Sequence, residues 1–478
     1  MTLASFEFLI FLLAILLLRP LFKGRGGSNW LLLAASICFY LSWNVPCILL
    51  ILFTAVTDFS IGAKIGQTQN QVLRKRLLLL SLGLNIALLG FFKYANFFVG
   101  NVCSALNGVG LHITPVHLNI ILPPAISYFT FASMSYVLDV YYERLPACNS
   151  LRDYALFITF FPKLLAGPIV RARELLPQLQ QRANPTVEDV EIGLVRFLVG
   201  AVKKLVLADQ VAGHVNLIFA SPSQYDGFTL LQGLLGYAVQ IYCDFSGYSD
   251  MAIGVARILG YKFPENFQMP FSSVTISEFW RRWHMSLSFW LRDYVFLPLE
   301  IITRDFRFPL LRVSFNLMVT MLICGLWHGA TWGFVLWGGL QGLALATHKV
   351  WSTLNPLRSL PKTGPARNAW NTFSRVLTLG SVLLSWVFLR SDTFSNAIHY
   401  MARMFAWTST GTHLVSPYIW AGVLCVVLTH VFVRKDRMWV EEMATMPIPA
   451  RVLAYSSLLI FLTFFAATDG APFIYFQF

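Results

Sequence analysis

The stretch MLICGLWHGATWGFVLWGGL, Met321 to Leu340, carries one imidazole, His328, and no Asp, Glu, Lys or Arg. It is as long as the roughly 20 apolar residues a helix needs to cross a hydrocarbon core about 30 Å thick. The nearest basic residues are Arg312 and His348. An imidazole at that depth is expensive without a partner, and an intramembrane ionisable residue points to function. Histidine is also the side chain best matched to proton transfer near neutral pH. A structural histidine donating to a helix carbonyl, or one binding a cofactor, is the plainer alternative.

Outward from this stretch, apolar runs recur from Phe6 to Phe465 with short polar breaks, on the order of a dozen hydrophobic elements. Over 478 residues the chain is 56% hydrophobic, 15% aromatic and 12% charged, against about a quarter charged for a soluble domain. A soluble fold is excluded. In hydrocarbon, backbone groups are satisfied within helices or closed barrels, and runs of this length specify an all-α, polytopic membrane protein embedded in the lipid bilayer. The formal charge of +13 does not imply nucleic acid, because Lys and Arg sit in small clusters between apolar runs, the pattern of positive-inside topology.

The clusters Lys23/Arg25, Arg74/Lys75/Arg76 and Arg434/Lys435/Arg437 are then cytoplasmic, whereas Gly100 to His117 and Ala406 to Pro417 lack Lys and Arg and face outward. The alternation places both termini outside. The first segment, Phe6 to Phe22, has no basic leader and no small-residue cleavage site, so it is expected to be retained. The seven cysteines form no CxxC or Cys/His ligand spacing, and neither a disulfide framework nor a metal site is expected.

Phe6 to Phe98 reads as four ordinary apolar helices. After Leu122-Pro123-Pro124 comes a segment rich in Ser, Tyr, Thr and Phe, whose hydroxyls a purely lipid-facing helix does not need. Between Ala155 and Leu345 the apolar runs shorten and Gly and Pro interrupt them, as at Phe160-Phe161-Pro162-Lys163 and Gly167-Pro168. Irregular backbone at membrane depth survives only where protein or a water-filled cavity satisfies it, so broken or re-entrant helices around a central polar funnel are expected. A basic Pro/Gly linker, Asn355 to Arg367, precedes plain apolar helices from Leu377 to Phe465. The organisation expected is one membrane domain over 1–478: peripheral helices 1–98, a catalytic core 118–349 and C-terminal helices 371–478.

Two further elements carry chemistry. SEFWRRWHMSLSFWLRDYVFLPL, Ser277 to Leu299, reads as a helix capped near Ser277, with Arg281, His284 and Ser288 near one face. Its Arg281, Arg282, Arg292 and Asp293 stand on an aromatic and apolar background. These arginines either meet lipid headgroups or hold the phosphates of an acyl donor. QIYCDFSGYSD, Gln240 to Asp250, packs Asp244, Ser246, Tyr248 and Asp250 around a Gly break and suits a polar cavity wall, its carboxylates either forming structural ion pairs or orienting a histidine. No Gly-rich phosphate loop, GxSxG elbow or HExxH site is present.

These strings, with CDFSGYSDMAIGVARILGYKFPENF, FFPKLLAGPIVR and GLWHGATWGFVLWGGLQG, resemble the membrane-bound O-acyltransferase family, and within it the branch of bacterial alginate O-acetyltransferase membrane subunits. Weaker likeness runs from FFKYANFF at Phe91 through LPPAISYFTF, SYVLDVYY, KKLVLAD and WVFLR to the terminal FIYFQF. The chain departs from the pattern at Ala125, where the LPxGIS motif has Gly, at Tyr142, at Lys163, and at Glu300 to Arg304, which replace a Gly-Gly-Asn-Arg turn.

The resemblance implies a funnel from the cytoplasm, with the WHG histidine, His328, catalytic near the midplane and the RRWH histidine, His284, beside it. Trp327, Trp283, Arg281, Arg282, Arg292, Asp244, Ser246, Tyr248 and Asp250 are the expected funnel and substrate residues. It further implies transfer of an acyl group, most simply acetyl, from acetyl-CoA or another cytoplasmic acyl thioester to hydroxyls of an exported polysaccharide. No cofactor would be permanently bound. A periplasmic esterase-like acetyltransferase would be the partner, in a bacterial inner membrane. The polymer is open between alginate and others such as cellulose or a capsule glycan. Rival readings are D-alanyl transfer from a carrier protein to teichoic acid, a proton-coupled transporter or flippase, and a catalytically idle scaffold.

Overall fold

The computed structural model describes residues 1–474 except 23, 44, 115, 182–183, 355–362, 434–442, 444 and 468–472. The basic cluster at Arg434, most of the linker from Asn355 and the last four residues of FIYFQF therefore lie outside the described residues, as does Lys23. Among the described residues every regular element is helical, apart from one isolated bridge between Tyr225 and Thr412. Ile48–Gln67, the run Gln71–Gly108, Pro309–His328, Pro365–Arg390 and Ile448–Phe465 are long and apolar enough to cross a membrane. The protein is an all-α, multi-pass membrane protein.

The chain forms two compact units, residues 1–194 with 252–264 and residues 195–251 with 265–478. In the first, the four expected N-terminal helices are Phe6–Leu18, Gly24–Leu41, Ile48–Gln67 and Gln71–Leu89. The last begins at an Asn70 cap, so Arg74 sits within a helix rather than a loop and pairs with Glu143 at 2.7 Å. The apolar run continues through a π-turn to Gly108, which shortens the expected outer loop.

The hydroxyl-rich segment is the helix Ile126–Tyr141, buried over most of its surface. Its hydroxyls, together with one from Gly24–Leu41, serve neighbouring irregular backbone. Phe160 ends Leu151–Thr159 and Pro162 opens the four-residue turn Phe161–Leu164. The amide freed at Phe161 donates to Ser36 Oγ at 3.2 Å, that of Ala172 to Ser135 Oγ at 3.3 Å, and that of Cys148 to Tyr136 Oη at 3.0 Å. Interrupted backbone at this depth is thus satisfied by side chains. Ala125, before that helix, has φ of 64°, a left-handed conformation that favours glycine.

In the second unit the helices Pro309–His328 and Trp332–Leu354 form a tight hairpin. Gly325 and Gly338 face each other across it. A Cβ on Gly325 would overlap the Phe334 carbonyl, and one on Gly338 the Met321 carbonyl. Glycine at these positions lets the two backbones touch, as at other intramembrane helix crossings, and this fixes where the first helix ends.

Candidate active site

That helix ends on His328. Gly329 leaves the helix in an extended conformation, and the hairpin resumes at Trp332. A Cβ on Gly329 would run into the Phe334 ring, so the turn stays closed under the imidazole. His328 is 8% exposed. Its ring centroid lies 4.9 Å from Trp327, 5.1 Å from Trp337 and 6.4 Å from His284, each in edge-to-face geometry.

His284 arrives by a different route from the single helix expected for Ser277 to Leu299. The helix starts at a Thr275 cap, runs Ile276–Trp280 and stops; a second piece, Met285–Leu291, follows, and a π-turn at Arg292–Phe296 leads into Leu297–Ile302. His284 sits at the break with φ of 41° and ψ of 53°. A non-glycine residue in that region costs on the order of 1–2 kcal/mol, and the surroundings supply it. Asn266 Oδ1 accepts from His284 Nδ1 at 3.0 Å and from Ser286 Oγ at 2.8 Å, while Asn266 Nδ2 donates to Ser249 Oγ at 2.9 Å. A carboxamide oxygen only accepts, so Nδ1 carries the proton and Nε2 is the basic nitrogen. Phe245 packs edge-on against the ring at 4.6 Å.

The sequence reading did not single out Asn266, Phe245 or Trp337. Asn266 lies in an irregular stretch 18 residues before His284, and no spacing rule joins them. Trp337 is one of 14 tryptophans and stands out only by its placement. Its indole N–H is buried and has no hydrogen-bond partner among the described residues. Trp280, 5.9 Å away, is different: its N–H donates to Gln341 Oε1 at 3.0 Å, and Gln341 donates on to Ser385 at 2.8 Å.

The other expected site residues divide. Trp327 lies 6.0 Å from the His284 ring, and Trp283 is stacked on Phe279 at 5.6 Å and packed on Trp386 at 5.0 Å. Asp244 and Asp250 are in ion pairs, Asp244 with Lys204 at 2.8 Å and Asp250 with Lys203 at 2.7 Å and Arg196 at 3.1 Å. Arg196 also pairs with Glu265. Asp244 further accepts the Ile474 amide at 2.7 Å, and Tyr248 packs 4.9 Å from Phe473. Ser246 is buried one turn beyond Tyr242. The three arginines lie apart from the imidazoles' contacts: Arg281 is exposed, Arg282 pairs with Glu278 at 3.0 Å, and the half-exposed Arg292 pairs with Asp293 at 2.7 Å.

A family model described as the membrane-bound O-acyltransferase family matches residues 41–380, a span that includes both histidines. This chain belongs to that family. Among its relatives, a probable alginate O-acetylase of Pseudomonas putida is 38% identical over 85% of this chain and 79% of its own length. A peptidoglycan O-acetyltransferase of Helicobacter pylori is 35% identical over 81% of this chain and 74% of its own. A teichoic acid D-alanyltransferase of Streptococcus thermophilus is 32% identical over 55% of this chain and 66% of its own. The expectation of a membrane-bound O-acyltransferase is borne out, and the protein is a multi-pass membrane enzyme of this family.

Proposed function

We propose that this O-acyltransferase moves an acetyl group from a cytoplasmic acyl thioester, such as acetyl-CoA, to a hydroxyl of an exported polysaccharide, with His328 as the general base. The observation carrying this reading is the paired imidazoles with ring centroids 6.4 Å apart, one closing an apolar helix and the other held in a single tautomer by Asn266. Relatives named for O-acetylation of alginate and peptidoglycan support a glycan acceptor.

In this mechanism the acceptor hydroxyl gives its proton to His328 as its oxygen attacks the thioester carbonyl carbon. The carbonyl oxygen becomes an oxyanion. When the C–S bond breaks, the imidazolium returns the proton to the thiolate, releasing the thiol and leaving the ester on the glycan. The Trp337 indole N–H, unpartnered at 5.1 Å between ring centroids, is the donor that meets the oxyanion. His284 sets the polarity beside it, while Trp283, Trp327 and the ion-paired Asp244 and Asp250 build the walls.

The donor side is the cytoplasmic one, with both termini outside, in a bacterial inner membrane. A periplasmic esterase-like acetyltransferase is the partner and presents the polymer. Residues 118–349 serve as the catalytic core, flanked by peripheral helices. His328→Ala, expressed at unchanged abundance, is expected to lower polymer acetylation by about 10²–10⁴-fold. Unchanged acetylation would remove the catalytic assignment. Loss of D-alanine esters in place of acetyl esters would move the acyl group to the D-alanyl reading.

A further inference from the structure

A cavity of about 480 Å³ opens at the surface of the second unit, lined by the helices Gly227–Ile258, Pro365–Arg390 and Pro417–Phe432. Its volume is in the range of small-molecule sites, roughly 300–1,000 Å³. Most of the lining is aliphatic. Leu379 and Leu383 follow Arg375 at successive turns, so the groove extends about 12 Å along that helix at 1.5 Å per residue.

Two side chains break the apolar pattern. Arg375 lines the cavity, is exposed, and has no carboxylate within ion-pair distance among the described residues. His430 is 9% exposed, with its ring held between Tyr242 at 5.2 Å and Phe271 at 5.3 Å. Its Nδ1–H donates to the Val426 carbonyl at 2.8 Å, which leaves Nε2 as an acceptor, and Nε2 has no partner among the described residues. A buried acceptor without a donor is unfavourable, and a guanidinium at an apolar groove calls for an anion.

We propose that this groove binds one phospholipid from the surrounding bilayer, of the anionic, hydroxyl-bearing phosphatidylglycerol type. An acyl chain lies along Leu379, Leu383 and Val423. The phosphate sits on Arg375, and a headgroup hydroxyl donates to His430 Nε2. The bilayer supplies this occupant without a further partner, since Pro365–Arg390 is itself a candidate span. A zwitterionic choline lipid offers the chain and the phosphate, but no donor for His430 and no net charge for Arg375. The site stands apart from the proposed acetyl transfer and does not depend on it.

The test is native mass spectrometry of the full-length protein in detergent, titrated separately with phosphatidylglycerol and phosphatidylcholine. One phosphatidylglycerol is expected to be retained per chain, about five- to tenfold more tightly than phosphatidylcholine. Arg375→Gln should remove that preference while leaving weak chain binding. Val427→Trp, on the exposed rim of the groove, should prevent retention of both lipids without touching the core. Equal retention of the two lipids by the wild type overturns the proposal, as does undiminished phosphatidylglycerol binding in both variants.

Discussion

Two regions bury polar groups at membrane depth, and they treat them differently. In the first unit, Asp58 is 1% exposed, and its two carboxylate oxygens accept from Ser81 Oγ, Asn85 Nδ2 and Ser133 Oγ at 2.5–2.7 Å; Ser133 also bonds Tyr154 at 2.8 Å. In the second unit His328 is 8% and Trp337 2% exposed, and the Trp337 N–H has no acceptor among the described residues. Both are costly insertions in hydrocarbon. The first region spends the hydrogen bonds of the Asp58 carboxylate on holding helices together, whereas in the second the Trp337 N–H is left unpaired beside a titratable ring. Burial is common to both regions; the unpaired N–H beside a titratable ring is what separates them.

Crossing the two regions by mutation breaks or sharpens this contrast. The largest effect is His328→Ala, which should lower transfer about 10²–10⁴-fold in an acyl-transfer assay while leaving thermal unfolding in detergent nearly unchanged. Asp58→Ala should do the reverse. It strands three buried donors at about 1–3 kcal/mol each, so stability should fall by roughly 3 kcal/mol or more while activity per folded molecule is retained. A loss of activity in correctly folded Asp58→Ala protein would erase the distinction. Trp337→Phe keeps the ring and removes the N–H: transfer should drop roughly 10²–10³-fold with stability equal or slightly higher, and a normal rate would dismiss the oxyanion role.

Smaller effects test the surrounding scaffold. Asp226 caps the helix Gly227–Ile258, accepting the Thr229 amide at 2.8 Å and a bond from His413 at 2.6 Å. Burial acts to raise its carboxyl pKa, but the bonds from Thr229 and His413 outweigh it and hold the carboxyl below its ordinary value of 3.8. A depressed carboxylate adds stability that is complete above the unfolded value and is lost as pH falls through the lower folded one. Unfolding followed from pH 5 downward should therefore show an acid-sensitive component that vanishes in Asp226→Ala, which costs about 1 kcal/mol at neutral pH. Ala125→Gly should stabilise by about 0.5–1 kcal/mol, because relief of the left-handed strain exceeds the entropy of the added glycine. Destabilisation there would contradict the assigned backbone.

Ala125 and His284 mark how far the sequence could be read. The resemblance flagged Ala125 as standing where the family has Gly, and the positive φ supplies the reason. The broken helices around Pro162 and Gly167-Pro168 were legible because proline and glycine act locally. The RRWH segment was not: nothing in it announces a break, and its helical period is overridden by tertiary bonds from Asn266 that fix His284 in the left-handed region. The carboxylates of the Gln240 to Asp250 stretch were legible as an ion-pairing wall, but their partners Lys203, Lys204 and Arg196 were not, because they lie on another element.

The sequence by itself determined that the chain is helical and membrane-embedded, since apolar run length and the cost of bare amides in lipid leave no other solution. It also isolated His328, because one imidazole in twenty apolar residues is conspicuous in one dimension. Only the tertiary structure decided which groups meet that ring. Trp337 packs on it from the next helix and Asn266 fixes the neighbouring His284, and whether a buried donor is satisfied depends on distances between side chains, which composition and spacing do not encode.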